Sequence, residues 1–487
     1  MEPSTPDTAA VSQTRALRRD ALTTRHLVFC VVSAAAPLTT IVGYAALTLM
    51  LAGPAAPVGY LIAGVVFAVF AVGFTAMSRH IRNTGALYAY ITQGIGKTVG
   101  TGSAVVAYLA YTFVGIGFCA GAGFFASTAL KSQAGLTVPW GVCAAVIAVV
   151  CGLIAYRGVD VGAKVLGVFL LCELALVAIL SVAILVAGPP EGLSLETFNP
   201  STWSASALGA LFVVTFGTYL GIEQTAVYSE EVRDARKAVP RATYVAVAVL
   251  AVVNTFVSWL ILQAIGPNAL GAFLSTGDPY TLVYRISDDV VGSLFTNAMT
   301  VLVVTSFVAG ILAFLNAGAR YLFSMGRSEI VPASLGRTAP DSAAPTRAVT
   351  VQTLLFLVPV ALGALAGLDP FTQLVLWGNT PGLISLLLLQ LLTCIAVIRF
   401  FRRRPADENA WHRLVAPTIA GILIAGVLYL MISRMGGTTG LALWGNVLLL
   451  LPFALAFGGG IWRARYLHAR KPQVYARLGE DVSTPAG

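Results

Sequence analysis

The sequence predicts an all-α polytopic membrane protein with twelve transmembrane helices. Hydrophobic residues make up 57% of the chain and charged ones only 10%, more apolar surface than a soluble core of ordinary proportions can hide. The apolar residues are gathered into long runs, and the basic residues fall almost entirely between alternate runs.

A bilayer core of about 30 Å needs roughly 20 helical residues per crossing. Run one, 27–51, lies between Arg25 and Gly53, and run two, 58–78, between Pro57 and Arg79. Run three, 101–128, is bounded by Lys97 and Lys131, run four, 138–156, by Pro139 and Arg157, and run five, 164–187, by Lys164 and Gly188. Run six, 205–228, sits between Pro200 and Glu230, run seven, 242–265, between Arg241 and Gly266, and run eight, 294–323, between Gly292 and Arg327. Run nine, 347–366, follows Arg347, and run ten, 371–400, follows Pro370. Run eleven, 413–433, ends at Arg434, and run twelve, 441–463, follows Gly440.

Lys and Arg are retained on the cytoplasmic side of membrane proteins. With both termini inside, every one of the 30 Lys and Arg except Lys131, Arg285 and Arg434 falls on the inner side. A miscounted run would scramble this alternation, so it supports the number of crossings and their direction, with the protein integral to the cytoplasmic membrane. The net charge of +9 is then a topology signal, not a nucleic-acid footprint. Residues 1–24 read as a disordered cytoplasmic tail. The run after Arg25 is about twice the 7–15 residues of a cleaved signal peptide. Residues 464–487 read as a second cytoplasmic tail.

Cys30, Cys119, Cys143, Cys151, Cys172 and Cys394 fall in apolar runs without metal or disulfide spacing and read as small packing residues. No metal or cofactor site is expected. Gly94-Ile95-Gly96-Lys97-Thr98 resembles the end of a phosphate loop, but Ile91 stands where the first glycine is required. Gly117 and Gly121 signal close helix packing.

Two runs are interrupted. In run one, Ser33-Ala34-Ala35-Ala36-Pro37 precedes Thr39 and Thr40; Pro37 lacks an amide hydrogen and its ring clashes with the carbonyl four residues back, so the helix opens here. In run six, Gly217 and Gly221 flank Thr218 and Tyr219 and weaken the helix by roughly 1 kcal/mol each relative to Ala. Pro and Gly often serve only packing in membrane helices. Breaks in runs one and six, five helices apart and so oppositely oriented, match an inverted five-plus-five repeat whose half-helix ends face each other at the midplane.

Four stretches carry a resemblance across essentially the whole chain. They are Gly85-Ala86-Leu87-Tyr88-Ala89-Tyr90; Tyr156-Arg157-Gly158-Val159-Asp160 with Lys164; Gly221-Ile222-Glu223 through Glu230-Glu231-Val232-Arg233-Asp234 to Val239-Pro240-Arg241-Ala242; and Asn316 with Arg320-Tyr321-Leu322-Phe323-Ser324-Met325-Gly326-Arg327 to Val331-Pro332. In these the chain resembles the amino acid-polyamine-organocation (APC) permeases. The resemblance implies a LeuT-like core of ten helices, residues 25–404 with repeats at about 25–187 and 205–400, and two additional C-terminal helices in 405–463. Many relatives carry a Gly-Ser-Gly or Gly-Thr-Gly cradle in run one; here Ser33 to Pro37 is alanine-rich.

Glu173 and Glu223 are the carboxylates inside predicted runs, and a charge at a helix centre costs on the order of 3 kcal/mol on insertion scales. Glu223 follows the break of run six and serves either substrate and gate or the freed amides. Lys164, by resemblance, stands where an ammonium replaces a structural sodium ion; snorkelling to the interface is the other reading. Thr305 and Ser306 offer oxygens for sodium, although hydroxyls in membrane helices usually bond their own backbone. The block from Glu230 to Arg241 reads as a salt-bridged loop, with Pro240 in the first turn of helix seven.

The expectation is a proton-coupled importer of an amino acid or related amine, binding it through Ser33, Ala34, Ala35, Ala36, Thr39, Thr40, Phe216, Gly217, Thr218, Tyr219 and Gly221, with Lys164, Glu223 and Glu173 in coupling or gating. Its partners are that solute, protons and the lipid bilayer. An exchanger of amino acids or polyamines on the same fold is the nearest alternative, and a non-transporting amine sensor a further one. No nucleophile–base or paired-acid constellation argues for an enzyme.

Overall fold

The computed structural model describes residue 17 and residues 20–203, 205–275, 281–339, 344–404 and 408–479, with the side chains at 159–165, 202, 205 and 206 outside that description. Most of the predicted N-terminal tail, the end of the C-terminal one and the Lys164 side chain therefore lie outside the described residues.

Every predicted apolar run overlaps a helix, and among the described residues nine helical segments are long and apolar enough to cross a membrane. The first of these, Thr24–Ser78, contains runs one and two. It consists of α1 (Thr24–Ala34), a π-turn at Thr39–Gly43, α2 (Tyr44–Ala52), a turn at Gly53–Ala55 and α3 (Ala56–Ser78). Then come α4 (Leu87–Gly94), α5 (Lys97–Ala134), α6 (Trp140–Tyr156), α7 (Val159–Ala187), α8 (Ala205–Gly217), α9 (Gln224–Val227) and α10 (Ala235–Ile265). The short α11 (Leu270–Ser275) and α12 (Leu282–Val290) precede α13 (Ser293–Arg327). The chain continues through α14 (Thr346–Leu365), α15 (Leu376–Arg403), α16 (Ala416–Ser433), α17 (Met435–Thr439), α18 (Leu443–Arg470) and α19 (Pro472–Ala476).

Residues such as Val186, Leu294, Leu365 and Trp444 point outward and are largely exposed, as a lipid-facing surface requires. Inside, α5 is packed on by α13, α15 and α18, and α3 by α10. Lipid offers no hydrophobic drive for helices to associate, so close backbone approach through small residues does the work. A methyl group on Gly378 would come within 2.7 Å of the Phe113 carbonyl, which lets α15 lie against α5.

Three expectations need correction. Helix α10 begins at Ala235, so Pro240 sits in its second turn; the chain reverses earlier, at Asp234, whose φ is +50°. Helices α11 and α12 lie outside the twelve runs, because each is far shorter than a 20-residue crossing. Helix α18 continues to Arg470, and the chain beyond it packs on the bundle: Leu478 is fully buried and the Gly479 carbonyl accepts from Gln93 Nε2 at 2.8 Å. Cys172 is exposed on α7 and is not a core packing residue, whereas the other five cysteines are buried. Ile95 and Gly96 form the turn between α4 and α5, and among the described residues no β-strand precedes it.

Candidate substrate site between two broken helices

In run one the α-helix stops at Ala34. The Ala35 and Ala36 amides bond back to Val32 and Ser33, and Ala36 takes a φ of +45°, unusual for a residue with a β-carbon. After Pro37 the freed amides go to other helices. Leu38 N donates to Glu173 Oε2 at 3.2 Å and Thr39 N to Ser306 Oγ at 3.2 Å, while Ser306 Oγ donates to the same Glu173 oxygen at 2.8 Å. Glu173, 1% exposed, thus ties the break of run one to α7 and α13.

In run six α8 ends at Gly217, and Thr218 to Glu223 runs through successive tight turns, Tyr219 N to Phe216 O, Leu220 N to Gly217 O and Gln224 N to Gly221 O. The Gly221 amide donates to Glu223 Oε2 at 3.3 Å, and Tyr111 of α5 donates its hydroxyl to Glu223 Oε1 at 2.7 Å. Each break therefore has one buried carboxylate that accepts from freed backbone and joins it to a neighbouring helix.

A hollow of about 500 Å³, its opening included, lies between the breaks. Of the expected binding residues it brings together Ala35, Thr39, Thr40, Gly217 and Thr218. The others face elsewhere. Ser33 donates to the Leu166 carbonyl at 3.3 Å, and Ala36 is fully buried in the turn. Ala34 packs on Gly221. Phe216 and Tyr219 lie on Phe67 of α3 with ring centroids 5.6 and 5.1 Å away, and the Tyr219 hydroxyl donates to the Tyr60 carbonyl. Neither Glu173 nor Glu223 lines the hollow.

Sequence reasoning missed the wall opposite the breaks: Tyr44, Phe118, Leu376, Asn379, Thr380 and Leu383. The signal available was Asn379-Thr380-Pro381-Gly382, a polar pair beside two helix-weakening residues in the middle of run ten. Asn379 Nδ2 donates to the Tyr44 hydroxyl at 3.1 Å, linking run ten to run one.

At the end of the bundle where residues 229–233 lie, the charge block forms a lock. Arg320 grips Glu231 through two bonds of 2.5 and 2.9 Å and lies 4.8 Å from the Tyr228 ring, all three being buried. Arg327 holds Glu230 through bonds of 2.7 and 2.9 Å, and the Thr84 amide donates to Glu230 at 3.0 Å. Arg82 donates to the carbonyls of Ser229 and Glu230. Leu22 pairs with Val232 as an isolated parallel bridge, through Leu22 N to Glu231 O and Arg233 N to Leu22 O. Burial would push the Glu230 carboxyl up, but the charge and N–H groups of Arg327 with the Thr84 amide outweigh it and hold the carboxyl below its usual range.

A bundle of membrane-length helices with a hollow between two broken ones defines a membrane permease for small organic solutes. The amino acid permease family profile matches residues 22–457, and the chain belongs to that family, within the APC permeases. It is 25% identical over 403 residues to the methylthioribose transporter of Bacillus subtilis, covering 80% of this chain and 82% of that protein. It is 22% identical over 403 residues to the branched-chain amino acid permease BcaP of the same species, covering 78% and 81%. Against BcaP of Lactococcus lactis the identity is 23% over 302 residues, covering 59% and 64%.

Proposed function

We propose that this permease is a secondary active importer of an amino acid or a related small organic solute, coupled to protons, working by alternating access around the breaks in runs one and six. The observation that carries this reading is the hollow itself, lined from both breaks by Thr39, Thr40, Gly217 and Thr218. In this reading twelve crossings form a LeuT-like core, residues 25–404, with helices eleven and twelve appended and both termini in the cytoplasm of a cell whose plasma membrane holds the protein. The names of the relatives support small solutes, a methylthio sugar and branched-chain amino acids, both with an apolar portion.

Glu173 and Glu223 support the coupling, because each buried carboxylate bridges a break to a neighbouring helix and a proton there rewrites the hydrogen bonds holding that break. Lys164 remains a coupling candidate by position on α7. The lock of Arg320–Glu231 and Arg327–Glu230 closes the inner end.

Uptake of radiolabelled leucine into proteoliposomes with an imposed inside-alkaline gradient tests this. Accumulation that collapses when the gradient is dissipated supports it; counterflow that is indifferent to pH would make the protein an exchanger. A methyl group on Gly217 would meet Leu383 at an ordinary 3.8 Å, so the position accepts a side chain and Gly217→Trp places its ring in the hollow. It should abolish uptake in a folded protein, and unaltered uptake would remove the hollow from the pathway.

A further inference from the structure

Among the described residues no charged side chain lines the hollow. The buried charges near it are already engaged: Glu223 accepts from Tyr111 and Gly221, Glu173 from Leu38 and Ser306, and Arg320 is bound to Glu231. The amides of Ala35, Ala36, Leu38, Thr39 and Thr40 likewise all have acceptors within the protein. What remains uncommitted in the lining is neutral. Thr39 Oγ1, Asn379 Oδ1 and Thr380 Oγ1 are buried and have no hydrogen-bond partner within the protein among the described residues. Buried polar atoms of native proteins are nearly always bonded, so these orphans around one hollow, one on run one and two on run ten, mark a surface completed by something else.

The rest of the lining is apolar: Phe118, Val213, Val214, Leu220, Leu376 and Leu383. Asn379 is held in place by its bond to Tyr44, and its oxygen lies over Gly117, where a methyl group would come within 2.8 Å of it. The lining thus sets two hydroxyls and an amide oxygen among aliphatic and aromatic side chains.

We infer that the site selects solutes of zero net charge with an apolar tail, and that Asn379 and Thr380 on run ten, with Thr39 on run one, are the specificity-determining groups that hold the polar head. This rests on the reading of the hollow as the substrate site. Hydroxyls and an amide can satisfy a zwitterion or an uncharged polyol alike, whereas a cationic or anionic side chain in the apolar pocket would leave water with no counter-charge to meet. A carboxylate placed at 379 supplies the missing counter-charge for a cation.

The test is a thermal-stabilisation panel on the purified full chain with norleucine, lysine and glutamate, since norleucine and lysine share a four-carbon side chain and differ by the terminal ammonium. A ligand bound only by the folded protein raises its melting temperature by an amount that grows with the logarithm of its concentration relative to its dissociation constant. Norleucine should stabilise at a concentration about 100-fold below that needed for lysine or glutamate, the scale expected for an unpaired charge in an apolar pocket. Thr380→Val should weaken norleucine about tenfold, the loss expected for one hydrogen bond in the site. Asn379→Asp should raise the preference for lysine over norleucine at least about tenfold, one close charge pair replacing none. Equal stabilisation by lysine and norleucine, with leucine uptake intact, would overturn the selectivity alone. Stabilisation by none of the three together with absent leucine uptake would overturn both the selectivity and the substrate-site reading. Where Asn379→Asp fails to fold, the wild-type panel and Thr380→Val decide.

Discussion

Gly221 presses its Cα against the methyl group of Ala34, so closely that a β-carbon at 221 would lie 2.6 Å from that of Ala34. This is where the broken parts of runs one and six cross. Gly221 also has a φ of +106°, a conformation open to glycine and strained for any other residue. The contact demands glycine twice over, for space and for backbone.

Gly221→Ala is therefore expected to lower stability by about 2 kcal/mol or more and to abolish transport, since a side chain there costs of order 1–3 kcal/mol in backbone strain before the clash is counted. Ala34→Gly in the same chain removes the clash but not the strain, so it should restore only part of the melting temperature. Full recovery in the double variant would mean the backbone at 221 relaxes freely.

Glu173→Leu takes the acceptor from the Leu38 amide and the Ser306 hydroxyl, a loss of about 1–3 kcal/mol for each buried group left unpaired. Glu173→Gln keeps an oxygen in place but cannot change its proton count. It should fold with a melting temperature close to wild type while transport loses its response to an imposed pH gradient. Acid-stimulated uptake that survives in Glu173→Gln would take this residue out of the coupling.

The Arg320–Glu231 pair is buried on both sides. Arg320→Ala leaves a carboxylate without a partner in the interior and should cost about 3–5 kcal/mol, while Arg320→Met with Glu231→Leu should recover most of it, as apolar replacement of a buried pair often does. Thermal unfolding of the two variants separates the cases. If the single change were as mild as the double one, the pair would be solvated in solution.

For Glu230 the folded protein holds the carboxyl below its usual range, so its pair with Arg327 stabilises fully above the unfolded value of about 4.3 and loses that contribution as pH falls through the lowered folded value. The melting-temperature gap between wild type and Glu230→Gln should accordingly be constant from neutral pH down to about pH 5 and close in more acid solution, below the usual carboxylate value. A gap independent of pH down to full protonation of carboxylates would show that Glu230 acts without its charge.

The composition, the run lengths and the alternation of basic loops were enough to read the membrane class and the twelve apolar segments, because burial in lipid is a property each run carries alone. The interruptions were equally legible, since Pro37 lacks a donor and glycine weakens a helix wherever it stands. Tertiary packing decided what the interruptions face. Once a helix opens, its side chains lose the 3.6-residue period that would have told inside from outside, so Thr39 and Thr218 turn into the hollow while Tyr219, next in the chain, turns to Tyr60 of α3. Asn379 and Thr380 are 340 or so positions from run one in the chain, and Glu173 finds Leu38 across 135. Meetings of that kind depend on how separate helices rotate and settle against one another, and no single segment contains that information.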